Sequence, residues 1–169
     1  MKQTRSQEIK SKARRTLTKK FDKKKKNYVT DTSAVINRFL PKLIEKGLQG
    51  RIIIPDAVVA ELENLANKGN EAGFIGLDEI AALHKIKKKY KISVNFEGPR
   101  PEIKHIKYAK SGEIDALIRG IASKNKATLI TADLVQAKSA QAYNIEVLFL
   151  RPYVPEKKKR KFFSFLRIK

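Results

Sequence analysis

Short apolar runs alternate along this chain with longer stretches in which apolar residues recur every three or four positions. Tyr28-Val29-Thr30, Arg51-Ile52-Ile53-Ile54, Ile92-Ser93-Val94-Asn95-Phe96, Ala127 to Thr131 and Ile145 to Leu150 read as strands. The run at Ile52-Ile53-Ile54 has no polar interruption, as expected of a strand buried on both faces, whereas Ile92 to Phe96 alternates like a more exposed one. Between these runs lie helical patterns. Asp31-Thr32-Ser33 offers capping chemistry for a first helix, and Pro41 opens a second short one that Gly47 stops. Asp56 can cap a helix reaching Lys68, in which Val58, Leu62 and Leu65 form a core stripe. Leu77 to Tyr90 and Leu134 to Tyr143 are helical. So is a stretch that starts at Ser111-Gly112 and turns Ile114, Leu117, Ile118 and Ile121 inward. Strands alternating with helices predict an α/β domain with a largely parallel sheet.

Composition adds a division of labour. The chain has 169 residues, 41% hydrophobic, which suits one domain with its own core. Its net charge of +21 predicts a polyanionic partner, most simply nucleic acid. Residues 1–26 hold 12 Lys and Arg against 2 acids, and residues 151–169 hold 8 against 1. The excess positive charge is therefore expected in a flexible basic arm, 1–26, and a basic and apolar tail, 151–169, around a domain spanning 27–150. Lys23, Lys24, Lys25, Lys26, Lys157, Lys158, Lys159, Arg160 and Lys161 are the candidate RNA contacts. Cysteine is absent, which excludes disulfides and Cys-based zinc sites. His84 and His105 lack metal-ligand spacing. No secretory h-region and no apolar run near the length of a membrane span is visible, so a soluble intracellular, cytoplasmic protein is expected.

Against this basic background four acids stand beside apolar runs: Asp31, Glu61, Asp115 and Asp133. Asp31 and Asp133 sit at or just past the carboxyl ends of expected strands, where parallel sheets bind ligands. Glu61 and Asp115 each flank the apolar stripe of a helix. Gathered in one hollow, the four would repel one another and raise each other's pKa, and would need a counter-charge. Oxygen ligands without His or Cys suit one or two Mg²⁺ or Mn²⁺ ions, which can activate a water for in-line attack on a phosphodiester. Products with a 5′-phosphate and a 3′-hydroxyl are expected. Each acid also has a plainer explanation. Asp31 and Asp133 suit N-caps, Glu61 suits a solvated helix surface, and Glu113 suits a first helical turn, where an acid favours the helix dipole. Glu113 faces the opposite side from Asp115 and ranks as secondary. Ser33, Thr131 and Thr32 could donate to a ligating carboxylate or a phosphate.

The segments Tyr28-Val29-Thr30-Asp31-Thr32-Ser33, Ile54-Pro55-Asp56-Ala57-Val58-Val59-Ala60-Glu61-Leu62, Gly112-Glu113-Ile114-Asp115-Ala116-Leu117-Ile118 and Leu129-Ile130-Thr131-Ala132-Asp133 resemble, in this order and spacing, the PIN-domain family. The resemblance covers roughly residues 27–150. It implies a Rossmann-like three-layer α/β/α domain with a central, mostly parallel sheet. It also implies Mg²⁺- or Mn²⁺-dependent endoribonuclease activity on single-stranded RNA, a quartet of Asp31, Glu61, Asp115 and Asp133 with Glu113 in reserve, and frequent homo-oligomers. Glu61 to Gly69 with Gly73-Phe74-Ile75-Gly76-Leu77 is similar to an archaeal branch in which the PIN domain precedes a PilT-like ATPase and a KH domain. This chain has no Gly-x-x-x-x-Gly-Lys-Ser/Thr loop, so no ATP site is expected in it. Gly47-Leu48-Gln49-Gly50 and Gly73-Phe74-Ile75-Gly76 match the KH loop pattern only by chance. The rival functions are a toxin-type ribonuclease of the same family and a catalytically inert RNA-binding or assembly module.

Overall fold

The computed structural model describes residues 26–102 and 112–151. Five strands pair in parallel: β1 (Lys26–Thr30), β2 (Gly50–Pro55), β3 (Ile92–Glu97), β4 (Thr128–Thr131) and β5 (Val147–Phe149). Six helices accompany them among the described residues: α1 (Thr32–Ile36), α2 (Phe39–Glu45), α3 (Asp56–Asn67), α4 (Glu71–Tyr90), α5 (Glu113–Lys124) and α6 (Leu134–Ala142). The result is the α/β domain with a parallel sheet expected from the alternation, in the three layers that the resemblance implies. Val29, Ile52, Ile53, Ile54, Leu129 and Ile130 have no exposed surface, because helices cover both faces of the central strands. Each such side chain contributes about 1.5–3 kcal/mol of hydrophobic stabilisation. The alternating strand β3 forms one edge.

The sheet order is β3-β2-β1-β4-β5. From β1 the chain moves to β2 and β3 on one side, then crosses back to β4 and β5 on the other. Strand order thus reverses between β1 and β4, where Thr30 pairs with Ile130. The carboxyl ends of these two strands open a crevice of the kind that binds ligands in parallel sheets.

Several boundaries differ from the sequence reading, each for a local reason. β1 begins at Lys26, because main-chain pairing with Gly50 and Arg51 does not require apolar side chains. Lys26 therefore belongs to the sheet, and its Nζ lies 3.6 Å from the Glu146 carboxylate. The first turn of α3 carries Asp56, but Pro55 holds the capping position and no side chain caps it. Asp56 acts there through the helix dipole. α2 starts at Phe39, two residues before Pro41, and its preceding residue Arg38 has a left-handed backbone, φ 55°.

The largest difference lies in α4, which starts at Glu71 with Asn70 as its cap rather than at Leu77. Gly73 and Gly76, which precede the helix expected from Leu77, both lie inside it. A Cβ on Gly73 would stand 2.3 Å from the Ala66 backbone nitrogen, and one on Gly76 would stand 2.3 Å from Leu62 Cδ2. These glycines let α3 and α4 approach closely. Among the described residues no helix is long and apolar enough to cross a membrane.

Candidate active site

β1 passes directly into α1 through Asp31, which is 3% exposed. Its backbone is extended, and Oδ1 accepts the Ala34 amide at 2.8 Å, so the residue caps α1. The cap uses only part of its bonding capacity. The Ser33 hydroxyl lies 2.8 and 3.0 Å from the two carboxylate oxygens, and Thr131 Oγ1 donates to Oδ2 at 2.5 Å. Ser33 Oγ in turn accepts the Ala132 amide at 2.8 Å, and the Asp31 amide donates to the Ile130 carbonyl at 3.2 Å. Side chains and main chain thus tie the carboxyl end of β1 to that of β4. Burial pushes the Asp31 carboxyl above the usual range and the charge of Asp115 adds to this, while Thr131, Ala34 and Ser33 pull it back.

Asp115 is the third residue of α5, a helix that packs on β1, β4 and α3. It is half-buried. Its carboxyl is also raised, first by burial and then by the charge of Asp133, with Arg119 one turn along the helix opposing. Asp133 caps α6: its exposed side chain accepts the Val135 and Gln136 amides through Oδ1 at 2.6 and 3.0 Å. Glu61, on α3, accepts the Thr32 hydroxyl through Oε2 at 2.5 Å, which ties it to the residue that follows Asp31. Glu113 is the first residue of α5 and is exposed, in a position that favours the helix dipole.

Asp31 therefore lies within the field of Asp115, and Asp115 within that of Asp133, while Glu61 is tied to Thr32, the residue after Asp31. The four are not drawn into a closed ligand set. Among the described residues no group of three or more acids or histidines stands ready-made to hold an ion. Oδ1 of Asp31 and of Asp133 accepts helix amides, and Oε2 of Glu61 accepts the Thr32 hydroxyl. The donor chemistry nonetheless fits a hard divalent cation, being all carboxylate and hydroxyl oxygen around two carboxyls raised by burial and by like charge. Lys23, Lys24, Lys25 and Lys157 to Lys161 fall outside the described residues.

Two residues beside the acids escaped the sequence reading. Gln136 is fully buried; its Oε1 accepts Arg119 Nη1 at 2.8 Å, and its Nε2 lies 3.4 Å from the Asp115 carbonyl. Helical spacing was the available signal: Arg119 is four residues after Asp115, and Gln136 is three after Asp133.

Residues 28–148 match the PIN domain. An uncharacterized KH and PIN-domain containing protein of Methanocaldococcus jannaschii is 42% identical over 127 residues, covering 74% of this chain and 20% of that protein. The Holliday junction branch migration ATPase PINA of Sulfolobus acidocaldarius is 27% identical over 139 residues, covering 82% of this chain and 26% of that protein. The chain thus spans between a fifth and about a quarter of the length of these curated relatives. A solved structure described as a domain of a functionally unknown protein from Methanocaldococcus jannaschii superposes with a TM-score of 0.72 at 41% identity, over 78% of this chain and 95% of its own. PIN domains typically have a nuclease fold, generally use divalent metal ions and generally bind nucleic acid. With a match spanning most of its length, a neighbour of the same architecture, and acids at the crevice between β1 and β4, the chain belongs to the PIN-domain family.

Proposed function

We propose that this chain is a divalent-metal-dependent endoribonuclease acting on single-stranded RNA. The observation that supports the reading is Asp31, bonded to Ser33 and Thr131 where strand order reverses, with the charge of Asp115 raising its carboxyl and that of Asp133 raising Asp115, inside a strongly basic chain. In this reading Asp31, Glu61, Asp115 and Asp133 hold one or two Mg²⁺ or Mn²⁺ ions, with Glu113 as a secondary candidate. Such an ion, when bound, supplies an activated water and charge neutralisation at the scissile phosphate. The protein's own groups fix the geometry. Ser33 and Thr131 hold both oxygens of Asp31, and Arg119 offsets negative charge beside Asp115. The lysine-rich ends, Lys23 to Lys25 and Lys157 to Lys161, grip phosphates without reading sequence, while Lys26 is taken up in β1 beside Glu146.

The test is labelled single-stranded RNA incubated with Mn²⁺. Wild type cuts, and Asp31→Asn/Asp115→Asn does not; equal cutting by both defeats the assignment. The name of the Sulfolobus relative makes a Holliday junction the contrasting substrate, and preferential cutting of the junction defeats the RNA part. One observation favours a second reading, an inert PIN-fold RNA-binding module: the acids do not form a closed ligand set among the described residues. That module leaves RNA uncut by wild type at every Mn²⁺ concentration.

A further inference from the structure

We infer that the groove between α5 and the carboxyl end of α6 binds a few nucleotides of single-stranded RNA that lead away from the acidic centre, with Tyr143 as a stacking platform and Arg119 and Lys126 as phosphate contacts. The inference rests on the reading of the acidic centre as a ribonuclease site.

The groove consists of two contiguous hollows. One, of about 330 Å³, is lined by Ala116, Arg119, Gly120, Ser123, Tyr143 and Ile145. The other, of about 250 Å³, shares Ser123, Tyr143 and Ile145 and adds Lys126 and Asn144. Ala116 follows Asp115 on α5, so one end of the groove lies a residue along the chain from the acids, while Lys126, Ala127, Ile145 and Glu146 place its other end at the amino edge of β4 and β5, away from them. From Ala116 to Ser123, both on α5, it runs about 10 Å at the helical rise per residue.

Its chemistry is that of single-strand binding: cations for the backbone and an aromatic face for a base. Tyr143 is 72% exposed although aromatic, and the Arg119 guanidinium lies 5.7 Å from the ring centroid, within cation–π reach. Arg119 is itself held by buried Gln136, so its position is fixed rather than free. Among the described residues the ion pairs are Lys26–Glu146, Arg51–Glu97 and Arg100–Glu63, so neither Arg119 nor Lys126 is in an ion pair, although Arg119 lies within the field of Asp115. Glu146 also lines the second hollow, but Lys26 and the Thr128 hydroxyl engage its carboxylate. Gly120 leaves the middle of the groove open, since a Cβ there would meet nothing within 4 Å.

The experiment is fluorescence anisotropy of a labelled short single-stranded RNA with the full chain in EDTA, so that binding is read without cleavage. Tyr143→Ala weakens binding about tenfold, the loss of one stacked base, while Tyr143→Phe keeps the ring and binds like wild type. Gly120→Leu fills the groove and weakens binding to a similar extent, while its melting temperature stays at or above that of wild type, because leucine favours a helix more than glycine does. Wild-type affinity in both Tyr143→Ala and Gly120→Leu overturns the inference. So does a change in sedimentation in place of a change in RNA affinity, which makes the face a contact between copies of this chain. A chain that binds RNA through Tyr143 yet never cuts it refutes the ribonuclease reading and leaves the groove standing; cutting with Tyr143-independent binding does the reverse.

Discussion

Glu79 is a charge buried where it costs stability at neutral pH. It lies in α4 against α1 and α2, is 6% exposed, and its Oε1 has no hydrogen-bond partner among the described residues. Burial pushes its carboxyl from 4.5 up to about 7, against the opposing pull of the Leu40 amide and the charges of Arg38 and Lys42. The folded value lies above the unfolded one, so folding takes up a proton between them. The stabilising contribution is present in full below about 4.5 and is lost as pH rises through about 7. At 1.36 kcal/mol per pH unit, the swing across that window is about 3 kcal/mol. Glu79→Gln keeps the shape and removes the titration. Urea unfolding of both proteins across a pH series reads the effect, and taking the difference cancels the other carboxylates. The stability of the variant relative to wild type rises by about 3 kcal/mol from pH 4 to pH 8. A difference that stays flat with pH refutes the reasoning.

Three further outcomes are expected. Gly73→Ala drives a Cβ against the Ala66 backbone, which has no flexible end to yield, so urea unfolding reads a loss of about 1–3 kcal/mol. Ser33→Ala removes the hydroxyl shared by Asp31 and the Ala132 amide and lowers Mn²⁺ affinity about 10- to 100-fold with the fold retained; unchanged affinity removes Ser33 from the site. Because Asp31 and Asp115 are raised and must lose their protons to hold a cation, Mn²⁺ affinity falls on acidification from a higher pH than ordinary aspartates require. A titration midpoint at the usual aspartate value contradicts this.

The sheet was largely legible in the sequence because burial on both faces leaves an unbroken apolar run, as at Ile52-Ile53-Ile54. What escaped depends on partners distant in the chain. Gly73 and Gly76 carry the local mark of a breaker, and only the approach of Ala66 and Leu62 makes them helix-packing residues. Lys26 looks like the end of a basic run, but the main chain of Gly50 and the carboxylate of Glu146 recruit it into the sheet. Asp31 and Asp133 stood out as acids after apolar strands. Both cap helices, as the plainer reading of each expected. Arg119 and Gln136 went unread because their link crosses between two helices.

The central claim is that Asp31 and Asp115 belong to one cation-binding centre. Calorimetric titration of Mn²⁺ into the full chain at neutral pH tests it most directly. The account predicts saturable binding by wild type, lost in Asp31→Asn/Asp115→Asn with the circular dichroism spectrum unchanged. Identical isotherms for the two proteins, or no saturable heat from wild type, contradict it.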